Sequence, residues 1–341
     1  MHWEQHWECP SPPTLLRGLA WLYASGWRLY ESLYRLDLKH RARLPVPVVG
    51  VGSLRVGGAG KTPVAIAIAR LLHQSGLRVV VLCSGYGGRR FNAISLLEPG
   101  KLPDPLEVGD EAVEVLQTLK QIPVAVGRRR VAVARAALEQ WPPDALVLDD
   151  GFQHLPLART VDLVVLPAES PLGNGYCLPA GPLREPPAGI RRADALLLTR
   201  SHTAPSPPAL PPPLTSAPTF EAVIEPEGLE ELASGRILPT DALKGREVIA
   251  LTGIARANRF LQMLEQLGMR VSEARLFPDH YPFEREQWDW TRSQTLVLTA
   301  KDAVKLRPRL PADCHAFVLR ITARLEPTFC NWLLERLHAA V

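Results

Sequence analysis

Between residues 46 and 166 the chain alternates short, β-branched apolar runs with helical patterns, and few folds accept that rhythm. Residues 46–51, 78–82, 123–126, 145–148 and 161–166 read as buried strands, with helices over 111–120 and 129–140 and a further helical pattern after Pro63. Strands fully apolar on both faces and separated by helices predict a doubly wound parallel sheet. Ligands of such sheets gather beyond the carboxyl ends of the strands, so the loops that begin at Gly52, Cys83, Gly127, Asp149 and Pro167 are expected to hold the chemistry.

A strand at 195–199 leads into a proline-dense stretch, with seven prolines between Pro205 and Pro218, which reads as a stiff connector. A smaller α/β pattern follows, with strands at 247–251, 295–298 and 317–321 and helices at 257–267 and 327–340. The expected organisation is an N-terminal helix over 1–40, an α/β domain over 41–203, a linker over 204–218 and a second α/β domain over 219–341. No internal repeat is evident.

The loop after the first strand is Arg55-Val56-Gly57-Gly58-Ala59-Gly60-Lys61-Thr62. A strict G-x-x-x-x-G-K-[ST] pattern wants glycine where Arg55 stands, but the context is that of a phosphate loop: a buried strand before it and Pro63 in the first helical turn after it. Gly57, Gly58 and Gly60 permit close backbone approach to phosphate oxygens, Lys61 can reach the β- and γ-phosphates, and Thr62 can offer its hydroxyl to Mg²⁺. The fold class expected is therefore a P-loop NTPase-type doubly wound sheet with a second, smaller α/β domain.

The strand at 145–148 ends in Asp149-Asp150-Gly151-Phe152-Gln153-His154, two carboxylates, a bend, an amide and an imidazole within six residues. Asp149 or Asp150 stands where a magnesium-binding carboxylate belongs, and the reading of the residues leaves open which. Gln153 and His154 are candidates for substrate binding, and capping of backbone groups at the strand end is the alternative. Asp110 and Glu111 suit either a site or the first turn of a helix. Arg128, Arg129 and Arg130 open a helix, where cations oppose the dipole, so phosphate contact competes with a solvated face. Arg184 and Glu185 follow a Pro-Ala-Gly-Pro loop that has no structural need for either charge, which favours a site role.

At 341 residues the chain is long enough for two cores. A net charge of +4 is too weak to argue for nucleic acid, and no RNA- or DNA-reading pattern appears. The five cysteines are scattered without C-x-x-C, which indicates neither a zinc site nor a disulfide framework and suits a reducing compartment. No apolar run approaches the roughly 18 residues of a membrane span. Residues 14–36 are nevertheless patterned as an amphipathic helix. Leu15, Leu19, Leu22, Leu29, Leu33 and Leu36 form one stripe, Tyr23, Trp27, Tyr30 and Tyr34 the adjacent one, and Arg17, Arg28, Glu31 and Arg35 lie opposite. Such a face suits a helix lying in an anionic membrane interface, and packing on its own domain is the alternative.

Seven motifs in order, Gly57-Gly58-Ala59-Gly60-Lys61-Thr62-Pro63, Gly85-Tyr86-Gly87-Gly88, Val108-Gly109-Asp110-Glu111, Asp149 to His154, Leu178 to Pro186, Phe277-Pro278-Asp279-His280 and Lys301-Asp302-Ala303-Val304-Lys305, closely resemble those of the tetraacyldisaccharide 4'-kinase (lipid A 4'-kinase) family. The resemblance implies an enzyme at the cytoplasmic face of the inner membrane that uses ATP and Mg²⁺ to phosphorylate the 4'-hydroxyl of tetraacyldisaccharide 1-phosphate, a lipid A precursor. It implies peripheral contact with an anionic membrane through the N-terminal helix; the residues themselves point to no nucleic acid, and no obligate protein partner is evident in them. By the same resemblance Asp110 is the base, helped by His280; Lys61, Asp149 and Asp150 complete the catalytic set; Thr62, Asp149, Asp150 and Glu111 serve the metal; and Gln153, His154, Arg128, Arg184 and Glu185 bind substrate.

The chain departs from the family pattern at Ser53, Arg55, Cys83-Ser84 and Ala300. Two rival readings are a GTPase or other P-loop phosphotransferase, faintly suggested by Thr299-Ala300-Lys301-Asp302, and a membrane-associated nucleotide-binding protein without catalysis. The joint presence of Lys61, Asp110, Asp149, Asp150 and His280 opposes the second.

Overall fold

The computed structural model describes residues 7, 9–203, 216–311 and 313–339. Most of the proline-rich stretch lies outside the described residues. The chain forms two compact units, each assembled from separated segments: Met1–Cys83, Arg129–Ile224 and Ala323–Val341 in the first, Ser84–Arg128 and Glu225–Thr322 in the second. The sequence reading had placed 84–128 with the nucleotide half. It groups instead with the C-terminal half, where the helix that starts at Asp110 packs on the helix that starts at Ala300, a partner too distant in the chain for local patterns to reveal.

In the first unit the strands β1 (Val48–Gly52), β2 (Val79–Cys83), β5 (Ala145–Asp149), β6 (Val161–Pro167), β7 (Ala195–Ser201) and the first half of β8 (Thr219–Glu231) belong to one sheet. β1 pairs in parallel with β5 and β6, β5 with β2, β6 with β7 and β7 with β8, as the β-branched runs dictate. Every residue of β1, β2, β5 and β6 is buried. Helices α2 (Lys61–Gln74) and α5 (Arg130–Gln140) supply apolar residues to this core, among them Val64, Ile68, Leu72, Val133 and Ala137. The closing helix α8 (Pro327–His338) adds Phe329, Leu333 and Leu337.

In the second unit β10 (Glu247–Thr252) lies between β11 (Arg270–Leu276) and β12 (Thr295–Thr299), and β12 pairs with β13 (His315–Leu325), all in parallel. β3 (Ser95–Leu97) with β4 (Val124–Val126), and β8 with β9 (Ile237–Leu238), are short antiparallel pairs. Helices α4 (Asp110–Leu119) and α7 (Ala300–Leu306) carry the polar residues discussed below, α3 (Pro105–Val108) precedes α4, and α6 (Ala257–Gln266) buries Phe260, Met263 and Leu264.

Helix α1 (Thr14–Arg35) belongs to the first unit and packs in the opposite sense to an ordinary surface helix. Ala20, Ala24 and Tyr34 are buried, whereas Leu15, Leu22 and Leu29 are 76%, 63% and 66% exposed. The leucine stripe therefore faces outward, and the small and aromatic side is the one that meets the protein. That corrects the expectation that the leucine and aromatic stripes act as one surface. No helix among the described residues is long and apolar enough to cross a membrane.

Candidate active site

The glycine-rich loop joins β1 to α2. Gly57, Gly58 and Gly60 have φ of 63°, 58° and 79°, values that a side chain would strain, and Gly60 is the left-handed residue that starts the helix. Free N–H groups at such a helix start make an anion site. Thr199 Oγ1 donates to Ala59 O at 2.9 Å and ties the loop to β7. Two expected phosphate ligands are otherwise engaged. Val56 N donates to Pro182 O at 2.9 Å, and the buried Arg55 guanidinium holds the hydroxyl and carbonyl oxygens of Ser170. Arg55 thus braces the loop through Ser170.

Lys61 and Thr62 open α2 beside the end of β5. Thr62 Oγ1 donates to Asp149 Oδ2 at 3.0 Å, and Lys61 Nζ lies 3.6 Å from Asp150 Oδ1. Arg184 adds a bidentate contact to Asp150, with both oxygens 2.7 Å from Nη1. Burial pushes the Asp150 carboxyl up, but Lys61 and Arg184 outweigh it and bring the group down to about 2. Asp150 has φ of 52°, a conformation costly for a residue other than glycine and one that recurs at functional sites. The two neighbouring carboxylates therefore differ in role: Asp150 is committed to cations, whereas Asp149 faces a hydroxyl.

Gln153 Nε2 donates to Ser53 O at 3.0 Å and to Glu185 Oε1 at 2.7 Å. Glu185 is fully buried, and Trp27 Nε1 and Arg192 Nη2 reach its Oε2 at 3.1 and 2.7 Å. Burial raises the Glu185 carboxyl in spite of Arg192. Gln153 Oε1 and His154 Nε2 are buried with no hydrogen-bond partner, so both remain open to a ligand. Burial, with Arg130 and Arg159 adding, drives His154 down to about 4 and keeps its ring neutral. The arginine of this neighbourhood is Arg130, which is buried and acts electrostatically on both Asp150 and His154. Arg128 is exposed in the second unit, its guanidinium 5.8 Å from the Phe91 ring.

The second unit holds a separate polar cluster. Gly109, φ 91°, lets the chain turn into α4 within 2.9 Å of Tyr86 O, measured from the Cβ it lacks. This sets the buried Asp110 at the helix start, where the dipole favours a carboxylate. His280 Nδ1 lies 3.1 Å from Asp110 Oδ1, and Lys305 Nζ lies 3.0 Å from Oδ2. Lys301 Nζ lies 3.1 Å from His280 Nε2, 2.9 Å from Asp279 and 3.7 Å from Glu111. Burial pushes Asp110 up, but the His280 hydrogen bond and the charges of Lys301 and Lys305 hold it well below the usual carboxylate range. Burial pulls His280 down, yet its bond to Asp110 leaves it above its ordinary value. An ammonium only donates, so in this geometry Nε2 accepts and Nδ1 carries the ring proton. A second ring proton requires Lys301 to yield Nε2 and keep its carboxylates Glu111 and Asp279. His280, φ 60°, is a second strained residue at a candidate position. Glu111, expected beside the metal, is instead paired with Lys301.

Lys301 and Lys305 stand in a motif that the sequence reading quoted without giving either a role; their i,i+4 spacing puts both on one face of α7, and both join this cluster. Glu114 was not singled out. One turn along α4 from Asp110, it is pushed up to about 8 by burial, with Lys301 opposing and Glu111 and Asp110 adding.

The family model described as tetraacyldisaccharide-1-P 4'-kinase matches residues 13–338. Proteins named tetraacyldisaccharide 4'-kinase are similar over nearly their whole length: one from Anaeromyxobacter dehalogenans is 41% identical, covering 93% of this chain and 89% of its own. One from Syntrophus aciditrophicus is 35% identical, covering 96% of each. The crystal structure of LpxK from Aquifex aeolicus in complex with ATP superposes with a TM-score of 0.79 at 31% identity, covering 94% of this chain and 98% of that one. On this breadth of similarity the chain belongs to the tetraacyldisaccharide-1-P 4'-kinase family.

Proposed function

We propose that the protein transfers the γ-phosphoryl group of ATP to the 4'-hydroxyl of tetraacyldisaccharide 1-phosphate in lipid A biosynthesis. The observation that carries this is the pairing of Lys61 and Thr62 with the strand-end carboxylates Asp150 and Asp149 in a chain of this family. Phosphoryl transfer asks the protein for positioning and charge neutralisation. The loop N–H groups hold the β- and γ-phosphates, and Lys61, steadied by Asp150, neutralises their charge. The hydroxyl oxygen bonds to phosphorus, the bond to the β–γ bridging oxygen breaks and ADP leaves. The hydroxyl proton passes to the Asp110–His280 pair, which titrates as one unit. In a loose transition state that proton leaves late, so a carboxylate with a low affinity for it still suffices.

The Thr62 hydroxyl and the Asp149 carboxylate are adjacent and of the right chemistry to hold Mg²⁺, which keeps several waters and needs one or two protein oxygens beside the phosphates. Bound there, the ion would neutralise phosphate charge. Gln153 and His154 offer unpartnered polar atoms to the acceptor. The exposed leucine stripe of α1, together with the exposed Arg17, Arg28 and Arg35 on the other side of the helix, supports peripheral attachment to an anionic surface at the cytoplasmic face of the inner membrane, where ATP and the lipid meet.

The test is to incubate the purified protein with labelled ATP, Mg²⁺ and the disaccharide 1-phosphate and look for a second phosphate on the lipid. Lys61→Ala should abolish transfer and weaken ATP binding with the fold intact. Wild-type protein that leaves the lipid unlabelled would overturn the assignment.

A further inference from the structure

The aromatic face of α1 enters the first unit at the two residues that touch the catalytic loop. Tyr23 Oη donates to Arg184 O at 2.6 Å, and Trp27 Nε1 donates to Glu185 Oε2 at 3.1 Å. Glu31 receives Arg192 Nη1 at 2.8 Å, and the same guanidinium uses Nη2 on Glu185 at 2.7 Å and covers the Phe152 ring at 4.5 Å. Beyond this layer Arg184 holds Asp150, and Glu185 holds Gln153, which reaches Ser53 O at the end of β1. Two polar chains thus run from α1 to the loop 149–154, through Arg184 to Asp150 and through Glu185 to Gln153.

The energetics make this connection specific. Glu185 is fully buried, Trp27 and Gln153 donate to it and the Arg192 guanidinium lies 2.7 Å away, and burial already raises its carboxyl. Each lost donor removes part of what keeps the buried charge ionised and in place. Among the described residues Arg192 is the only cation within 4 Å of the Glu185 carboxylate, and Glu31 holds the other arm of its fork. A surface anchor needs no such contacts, and a helix that only covered a core would use its leucines.

We propose that Trp27, Glu31 and Arg192 are positioning residues for phosphoryl transfer: they fix Glu185, and through it Gln153 and the Asp150-bearing loop, so that α1 is part of the active site as well as a face turned outward. This deepens the kinase reading and rests on it.

The experiment uses full-length protein and detergent-dispersed acceptor, which removes any bilayer effect. Trp27→Phe keeps the ring and loses the donor; Trp27→His returns one, because imidazole Nε2 sits in the five-membered ring where the indole carries Nε1. Arg192→Lys keeps the charge but cannot bridge Glu31 and Glu185. Trp27→Phe and Arg192→Lys should lower kcat about tenfold while KM for ATP changes less than twofold, and Trp27→His should recover part of the loss. Unchanged kcat, or losses in ATP KM and melting temperature alone, would overturn the proposal. Amide exchange at 149–155 needs no acceptor and should quicken in Trp27→Phe. A wild-type protein without transfer would defeat the kinase reading, and unaltered exchange would defeat the positioning one.

Discussion

Lys305 Nζ lies 3.0 Å from Asp110 Oδ2, the same oxygen that His280 Nδ1 approaches at 3.2 Å. The other oxygen accepts from Glu111 N at 2.9 Å as well as facing His280. Asp110 can therefore take a proton only by releasing a donor. Lys305 is buried within α7, whereas His280 sits on a strained loop position and is partly exposed, so His280 is the partner that moves.

Asp110→Asn keeps size and loses the base, and turnover should fall by roughly 10² to 10⁴. His280→Ala should slow the same step. Because the two residues act as one pair, the double variant should lose much less than the product of the single losses. Multiplicative losses in single-turnover assays would show that they do not cooperate.

Lys305→Met preserves length and packing but strands a buried carboxylate, a change worth roughly 3 to 5 kcal/mol. Lys305 and its loss also act on the titration of Asp110, whose carboxyl is held low in the fold. A depressed carboxylate contributes stability above its unfolded pKa and loses it as pH falls through the folded one. The variant should therefore melt lower near neutrality, and its acid limb of turnover should lie at higher pH than that of the parent. An unshifted limb would mean that Lys305 does not set the Asp110 charge.

Glu114 works in the other direction. Its carboxyl is raised to about 8, so the folded protein binds a proton that the unfolded chain has lost. Its contribution is complete below the unfolded value of 4.5 and disappears as pH climbs through 8. Glu114→Gln, which is neutral throughout, should flatten the fall in melting temperature between about pH 5 and 9. Identical melting profiles for the two proteins would refute the protonated carboxyl.

The outward leucines give a membrane test that spares the site. Deleting 1–38 would also strip Tyr23, Trp27 and Glu31 from Arg184, Glu185 and Arg192, so the deletion confounds attachment with positioning. Leu15→Ser, Leu22→Ser and Leu29→Ser together leave those contacts alone. The triple variant should pellet less with anionic vesicles and phosphorylate vesicle-borne lipid more slowly; equal sedimentation would leave the stripe without a membrane role.

Much of this was legible wherever local pattern decides structure. β1, β2, β5 and β6 are buried on both faces, and their β-branched runs marked them within two residues. The phosphate loop and the Asp149–His154 cluster lie on short stretches, so their existence was legible, but their contacts with Ser170, Arg184 and Glu185 join distant segments. β11 was missed because Arg270, Glu273 and Arg275 interrupt its apolar rhythm at an outer position of the strand order. Arg130 was passed over for Arg128 because three adjacent arginines differ only in where the start of α5 points them. The ties from Arg192 to Glu31 and from Lys305 to Asp110 span long stretches of sequence, and only the folded chain brings such charges together.

The first unit is closed by Ala323–Val341, where Phe329 and Trp332 meet Phe220 and Glu326 accepts from the backbone of Glu221. A ribosome that has made the phosphate loop, its carboxylates and the whole parallel core has still not made the helix that covers part of that core. The nucleotide-binding half cannot be finished during synthesis in the order in which it is encoded. It waits, with apolar surface uncovered, for the segment after Thr322 to leave the exit tunnel, and the second unit is complete before the first.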